Sequence, residues 1–214
     1  MPRVRRLVLV RHGETVGRSS IRYYGATDVA LSDEGRRQMQ RVRDALCAET
    51  FDAVYCSGLQ RTRVAAQIIA PRLSARVVSG FNEIDFGDWE GLTREEIAAR
   101  DPQRFAAWQA DASTFTYPGG DDVPVFRRRV SETFRALLPA LPERPLLVVH
   151  RGIVLTILAE LLGLTEADHA AQPTALGSIH TVSFDGTDPH NPRWHAERLN
   201  DTTHLDAGEC VGAG

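Results

Sequence analysis

Apolar and polar positions follow two rhythms along the chain. Short runs rich in apolar and β-branched residues recur at Leu7–Val10, Phe51–Ser57, Ala75–Gly80 and Pro145–His150. Runs of that length predict strands, and the most apolar of them read as buried on both faces. Between them the spacing becomes helical. Ser32 is placed to cap a helix over "DEGRRQMQRVRDALCAET", with Met39, Val42 and Leu46 on its apolar stripe. "LQRTRVAAQIIAPRL" gives a second helix, with Ala65, Ile68, Ile69 and Leu73 to one side. Thr93 and Glu96 spell a capping box that opens a helical stretch to Ala110, divided by Pro102. "PVFRRRVSETFRALLPAL" and "GIVLTILAELLGL" predict two more helices, the second apolar on most sides and ending near Gly163. "IHTVSF" and "RWHAERL" read as late strands and "DAGECVGAG" as a frayed tail.

Strands alternating with helices predict an α/β layered fold around a mostly parallel sheet. No stretch rich in Pro, Gly and Ser divides the chain. The expectation is therefore one domain over residues 1–214, with a helical excursion at about 85–125.

Composition narrows the function classes. The chain has 214 residues, 43% hydrophobic and 25% charged, enough for a large core without covalent staples. Its formal net charge of -3 weighs against nucleic acid as a partner, so any anion site must be built locally. Cys47, Cys56 and Cys210 form no C-x-x-C pair, and His169, His180, His190, His195 and His204 lack ligand spacing, so no metal or other cofactor is expected. The four-residue apolar run near the start is too short for a signal core or a membrane span, which points to a cytoplasmic protein with no membrane partner.

The chemistry lies at the strand ends. Arg11 and His12 follow the first strand, Arg61 opens the helix after the second, Glu83 follows the third, and His150 closes "LLVVH" directly before a helix. Ligands of open α/β sheets bind at such carboxyl ends, where helix N-termini favour anions. Arginine offers a permanently charged fork to phosphate oxygens. Neutral histidine can attack phosphorus, with a backbone carbonyl near Gly13 to fix its ring. A carboxyl group facing a dianion is suited to protonating a leaving oxygen and later activating water. The placement does not by itself rank His12 above His150 as nucleophile. Asp85, Asp88 and Glu90 are acidic rivals to Glu83. "CSGLQR" is one residue short of the C-x5-R loop of cysteine phosphatases and is set aside.

"LVRHGET", "GATDVALSDEGRRQ", "YCSGLQRTRVAAQ", "NEIDFGDWEGL", "VVHRG" and "LNDTTHL" together resemble the histidine phosphatase superfamily, in its phosphoglycerate-mutase-like branch, from about Leu7 to His204. The resemblance implies a three-layer α/β/α fold, no metal, and a histidine acid-type phosphomonoester hydrolase acting on a small phosphorylated metabolite. Carried over, it makes His12 the nucleophile, Glu83 the acid and base, and Arg11, Arg61 and His150 the phosphate-binding set. Gly13, Arg18, Tyr24, Gly25 and Arg151 are candidate substrate contacts, with glycine 13 letting the chain pass close to the phosphate.

Four positions depart from the family pattern. Arg18 stands where Asn is frequent, Arg151 where "HGG" has glycine, Asp121 where Glu is common, and Thr62 where Ala often follows the motif arginine. Arg18 and Arg151 hint at a second anionic group on the substrate. Arg127, Arg128 and Arg129 are expected on a solvated helix face, and Trp89 and Trp108 in the core or a pocket wall. A phosphoglycerate mutase would use the same site, but "LTREEIAARDPQ" lacks the Arg-Arg-Tyr-type cluster such enzymes carry. A non-enzymatic phospho-ligand module would be expected to have lost the nucleophile or the acid. The oligomeric expectation is a monomer or homodimer.

Overall fold

In the computed structural model, residues 3–165, 173–185 and 193–206 are described. His169, His190, Cys210 and the tail beyond Asp206 lie outside them. Six strands form one sheet: β1 (Arg6–Arg11), β2 (Ala53–Cys56), β3 (Ala75–Val77), β4 (Pro145–Val149), β5 (Ile179–Asp185) and β6 (Arg193–Asp201). Their order is β3-β2-β4-β1-β5-β6. The pairs β2–β3, β2–β4 and β1–β4 are parallel, and β5 runs antiparallel to both β1 and β6. The sheet is mostly parallel, as the strand–helix alternation predicts.

Period-two alternation makes the layers. Leu7, Leu9, Tyr55, Leu147 and Val149 face one core with Phe126, Phe134, Ile153 and Ile157 from α5 (Val123–Leu137) and α6 (Arg151–Leu162). Val8, Val10, Val54, Leu146 and Val148 face the other with Met39, Val42, Ala65 and Ile69 from α1 (Asp33–Ala45) and α2 (Gln60–Ile69). β1, β2 and β4 thus bury both faces, which is why they read as continuous apolar runs. The result is a three-layer α/β/α arrangement.

Local signals act where the sequence puts them. Ser32 Oγ accepts the Gly35 N–H at 3.0 Å and caps α1. Thr93 and Glu96 form the reciprocal capping box of α3 (Arg94–Arg100). Asp101 then ends α3 and caps α4 (Pro102–Ala110), with Pro102 in its first turn, where a missing N–H costs nothing. Gly163 ends α6 in the left-handed region at φ 65°. Several expected spans change: the first helix stops at Ala45 rather than Thr50, and the second strand shortens to Ala53–Cys56. The strand expected over Ala75–Gly80 stops at Val77 and turns into a 3₁₀ segment, Ser79–Phe81. The second helix ends at Ile69, just before Pro71, and α5 ends at Leu137, before Pro139. The last element among the described residues is a short helix, α7 (Thr203–Asp206).

The β1–β4 pairing positions the chemistry. Arg11 lies opposite Val149, and the His12 N–H donates to Val149 O at 3.1 Å. The residues that leave these two neighbouring strands, His12 and His150, therefore emerge side by side.

Candidate active site

His12 is 4% exposed. Its Nδ1 lies 2.8 Å from Gly13 O, an acceptor only, so Nδ1 carries the proton and Nε2 keeps its lone pair. Burial first, then the charges of Arg61 and Arg11, hold its pKa well below 6.5. The ring is therefore neutral at working pH. Glycine 13 also meets a second constraint. A Cβ there would stand 2.6 Å from Gly35 O, so glycine permits close packing against α1, and its carbonyl orients His12.

His150 has no exposed surface, and its ring centroid lies 5.1 Å from that of His12 at a 69° interplanar angle. Its Nε2 meets Ser57 Oγ at 2.7 Å; Ser57 Oγ meets Thr62 Oγ1 at 2.8 Å, and Thr62 Oγ1 donates to Leu59 O at 2.9 Å. Burial, then Arg61, His12 and Arg11, also hold the His150 pKa well below 6.5. With its ring neutral, the hydroxyl chain decides which nitrogen carries the proton. Thr62 gives its one proton to Leu59 O, so Ser57 donates to Thr62 Oγ1 and accepts from His150 Nε2–H, which leaves Nδ1 a lone pair in the neutral ring. A bound dianion favours the protonated ring, whose Nδ1–H then donates to it.

Two arginines are anchored by backbone carbonyls rather than by carboxylates. Arg61, with no exposed surface, donates from Nη1 to Thr27 O at 2.9 Å and from Nη2 to Gly25 O at 2.6 Å. Arg11 donates to Thr174 O at 2.6 Å. Burial lowers the Arg11 pKa to about 10, with Arg151 adding like-charge repulsion, and Arg11 stays cationic at neutral pH. Arg11 Nε, Arg61 Nε and His150 Nδ1 are buried and make no hydrogen bond among the described residues. Leaving such groups unpaired is expensive. An oxyanion would supply the acceptors.

Glu83 is 8% exposed. Its carboxylate accepts the N–H of Ile84 at 3.1 Å and of Gly152, in the first turn of α6, at 3.0 Å. A Cβ on Gly152 would come within 2.5 Å of Glu83 Oε1 and 2.9 Å of Phe126, so a larger residue there would displace one of these side chains. The acidic rivals do other work. Asp85 accepts the Gly87 N–H, and Glu90 Oε1 collects those of Gly25, Ala26 and Phe86. Glu90 thereby ties down the loop that holds Arg61.

Arg11, His12 and Glu83 border an open cavity of about 1030 Å³, walled in part by Tyr23, Trp108 and Phe126. Tyr24 and Arg151 also line it. Gly25 instead serves Arg61, and a Cβ there would lie 1.7 Å from Ile84 O. Arg18 is exposed, in a left-handed turn at φ 63°, and is not part of the cavity wall. The solvated arginine face also needs correcting. Arg127 lines the cavity, while Arg129 donates to Gly80 O and Asn82 O and stacks on Phe126. Asp121 accepts the Asp85 N–H at 3.1 Å. Trp89 is buried in the core. His180 is buried and holds the Asn200 N–H, and burial lowers its pKa to about 4. Among the described residues, no three His, Cys, Asp or Glu side chains are grouped to hold a metal ion.

A profile of the histidine phosphatase superfamily (branch 1) matches residues 7–202. The chain belongs to the histidine phosphatase superfamily. This histidine phosphatase is 32% identical over 166 residues to the adenosylcobalamin/α-ribazole phosphatase of Salmonella typhimurium, covering 76% of this chain and 82% of that one. It is 31% identical over 225 residues to the glucosyl-3-phosphoglycerate phosphatase of Mycobacterium tuberculosis, covering 96% and 98%. Among solved structures it matches a mycobacterial glucosyl-3-phosphoglycerate phosphatase in complex with VO3 at TM-score 0.80 and 29% identity, covering 93% and 100%. The α-ribazole phosphatase of Shigella flexneri matches at TM-score 0.80 and 26% identity, covering 92% and 96%. The chain is a phosphatase, a hydrolase of phosphoric monoesters, and phosphoryl transfer through phosphohistidine is general to its family. No helix among the described residues is long and apolar enough to cross a membrane.

Sequence reasoning missed the Ser57–Thr62 hydroxyl pair, the tight fit at Gly152 and the service of Glu90. Only Ser57 carried a usable signal, since it too stands just past a strand end.

Proposed function

We propose that His12 Nε2 is the nucleophile of this phosphatase and Glu83 its proton carrier. The three unpartnered nitrogens of Arg11, Arg61 and His150 beside the neutral His12 ring carry that reading. The Nε2 lone pair forms the P–N bond as the ester P–O bond breaks, and Glu83 gives a proton to the departing alcohol oxygen. Water then attacks the phosphohistidine and passes its proton to Glu83. The P–N bond breaks, phosphate leaves, and His12 returns to its starting state. Arg11, Arg61 and His150 hold the equatorial oxygens throughout, where charge accumulates.

The enzyme is acid-type in the sense that its depressed His12 keeps the nucleophile unprotonated below neutrality. Its substrate is a small phosphorylated metabolite, of the kind named for its relatives. The free thiols Cys47 and Cys56 fit a reducing cytoplasm, with the protein acting as a monomer or homodimer. His12→Ala should lower kcat on p-nitrophenyl phosphate by at least about 10³-fold while circular dichroism stays native. An active His12→Ala protein would refute the assignment. Phosphate release, rather than isomerisation of 3-phosphoglycerate primed with 2,3-bisphosphoglycerate, separates this reading from a mutase.

A further inference from the structure

Arg151 is placed where a free protein gains nothing from it. It is the first residue of α6, whose first turn has no acidic side chain of its own. A cation there opposes the helix dipole, a cost of about 0.3–1 kcal/mol at exposed sites. It stands near enough to Arg11 for the two like charges to repel, and it lines the catalytic cavity. It is exposed and makes no hydrogen bond or ion pair with any described residue. Nor does the fold need a side chain there, since the adjoining Gly152 makes the contact with Glu83.

The charge tally points the same way. A transferred phosphoryl group carries close to two negative charges, which the buried Arg11 and Arg61 match. Arg151 is a third cation, and it lines the same cavity. The cavity, at about 1030 Å³, also extends well beyond what one phosphoryl group fills.

We infer that Arg151 selects substrates whose alcohol part carries a second anionic group close to the ester, a carboxylate or a further phosphate. This rests on the phosphatase reading above and adds a substrate class to it. The guanidinium pairs with that group at the rim while the ester phosphate sits on Arg11 and Arg61. The unfavourable position of the free side chain is relieved only when such a substrate binds, which is how a site exchanges stability for selectivity.

The matched esters 3-phosphoglycerate and glycerol 3-phosphate differ by a carboxylate in place of a hydroxymethyl group, and they test this directly. Wild-type kcat/KM should favour phosphoglycerate, and Arg151→Gln should reduce the ratio of the two values by about tenfold or more. A bisphosphate compared with its monophosphate distinguishes the two anion sources. Ligand-free Arg151→Gln should melt at the wild-type temperature or about 1–4 °C above it. An unchanged ratio for both pairs would overturn the inference, as would an equal loss on every ester or a clearly lower melting temperature. A wild-type protein that turns over p-nitrophenyl phosphate but none of these esters would overturn this inference alone, and one that turns over neither would defeat the proposed roles of His12 and Glu83 with it.

Discussion

His12 combines a fixed tautomer with a suppressed charge. Its Nδ1 faces Gly13 O, and burial with Arg61 and Arg11 nearby disfavours imidazolium. Protonation would remove the attacking lone pair, so a pKa held below 6.5 extends activity towards acid. Once the substrate's own ionisation is divided out, kcat/KM should stay level as pH falls from 7.5 to about 6, with the enzyme's acid limb below that. A limb centred at 6.5 or above would show that the neighbouring charges do not act on His12 as described. At this scale much was legible. Arg11, His12 and His150 break apolar runs abruptly, and polar residues at the ends of buried strands have few other reasons to be there. Ser57 offered only its place just past a strand end, and the role of Thr62 was not legible, because a hydroxyl buried beside a histidine looks no different in sequence from one capping a turn.

The N-terminus of α6 joins three requirements in two residues: Arg151 faces the cavity, Gly152 offers its N–H to Glu83, and the missing Cβ makes room for that carboxylate and for Phe126. Gly152→Ala must displace one of them. Its kcat should fall by about 10²-fold, and more for alkyl phosphates than for p-nitrophenyl phosphate, because a poor leaving group depends more on a placed acid. Equal losses on both ester types would mean that Gly152 matters for packing and not for proton transfer. Element types were readable from caps and spacing: the Thr93–Glu96 box and Pro102 act where expected. The ends were less so. β3 stops after three residues because the chain must turn at Ser79–Phe81 to bring Glu83 to the site. Glycines 13 and 25 each permit a backbone contact with a segment distant in sequence, and no local pattern encodes that.

For the whole molecule, one sheet sorts its side chains into two apolar cores and collects the polar site residues at the carboxyl end of its central strands. The parallel β1–β4 pair fixes the His12–His150 distance, while a chain of net charge -3 keeps a cluster of cations at that end. Strand–helix alternation foretold the layers. The strand order did not follow from it, since pairing β1 with β4 rests on long-range contacts. The central claim is covalent and can be read directly. Protein quenched in mid-turnover with a ³²P-labelled phosphomonoester should yield one acid-labile, alkali-stable label on the peptide that contains His12, absent from His12→Ala. Label found on His150, or full turnover with no phosphoenzyme at any quench time, would contradict it.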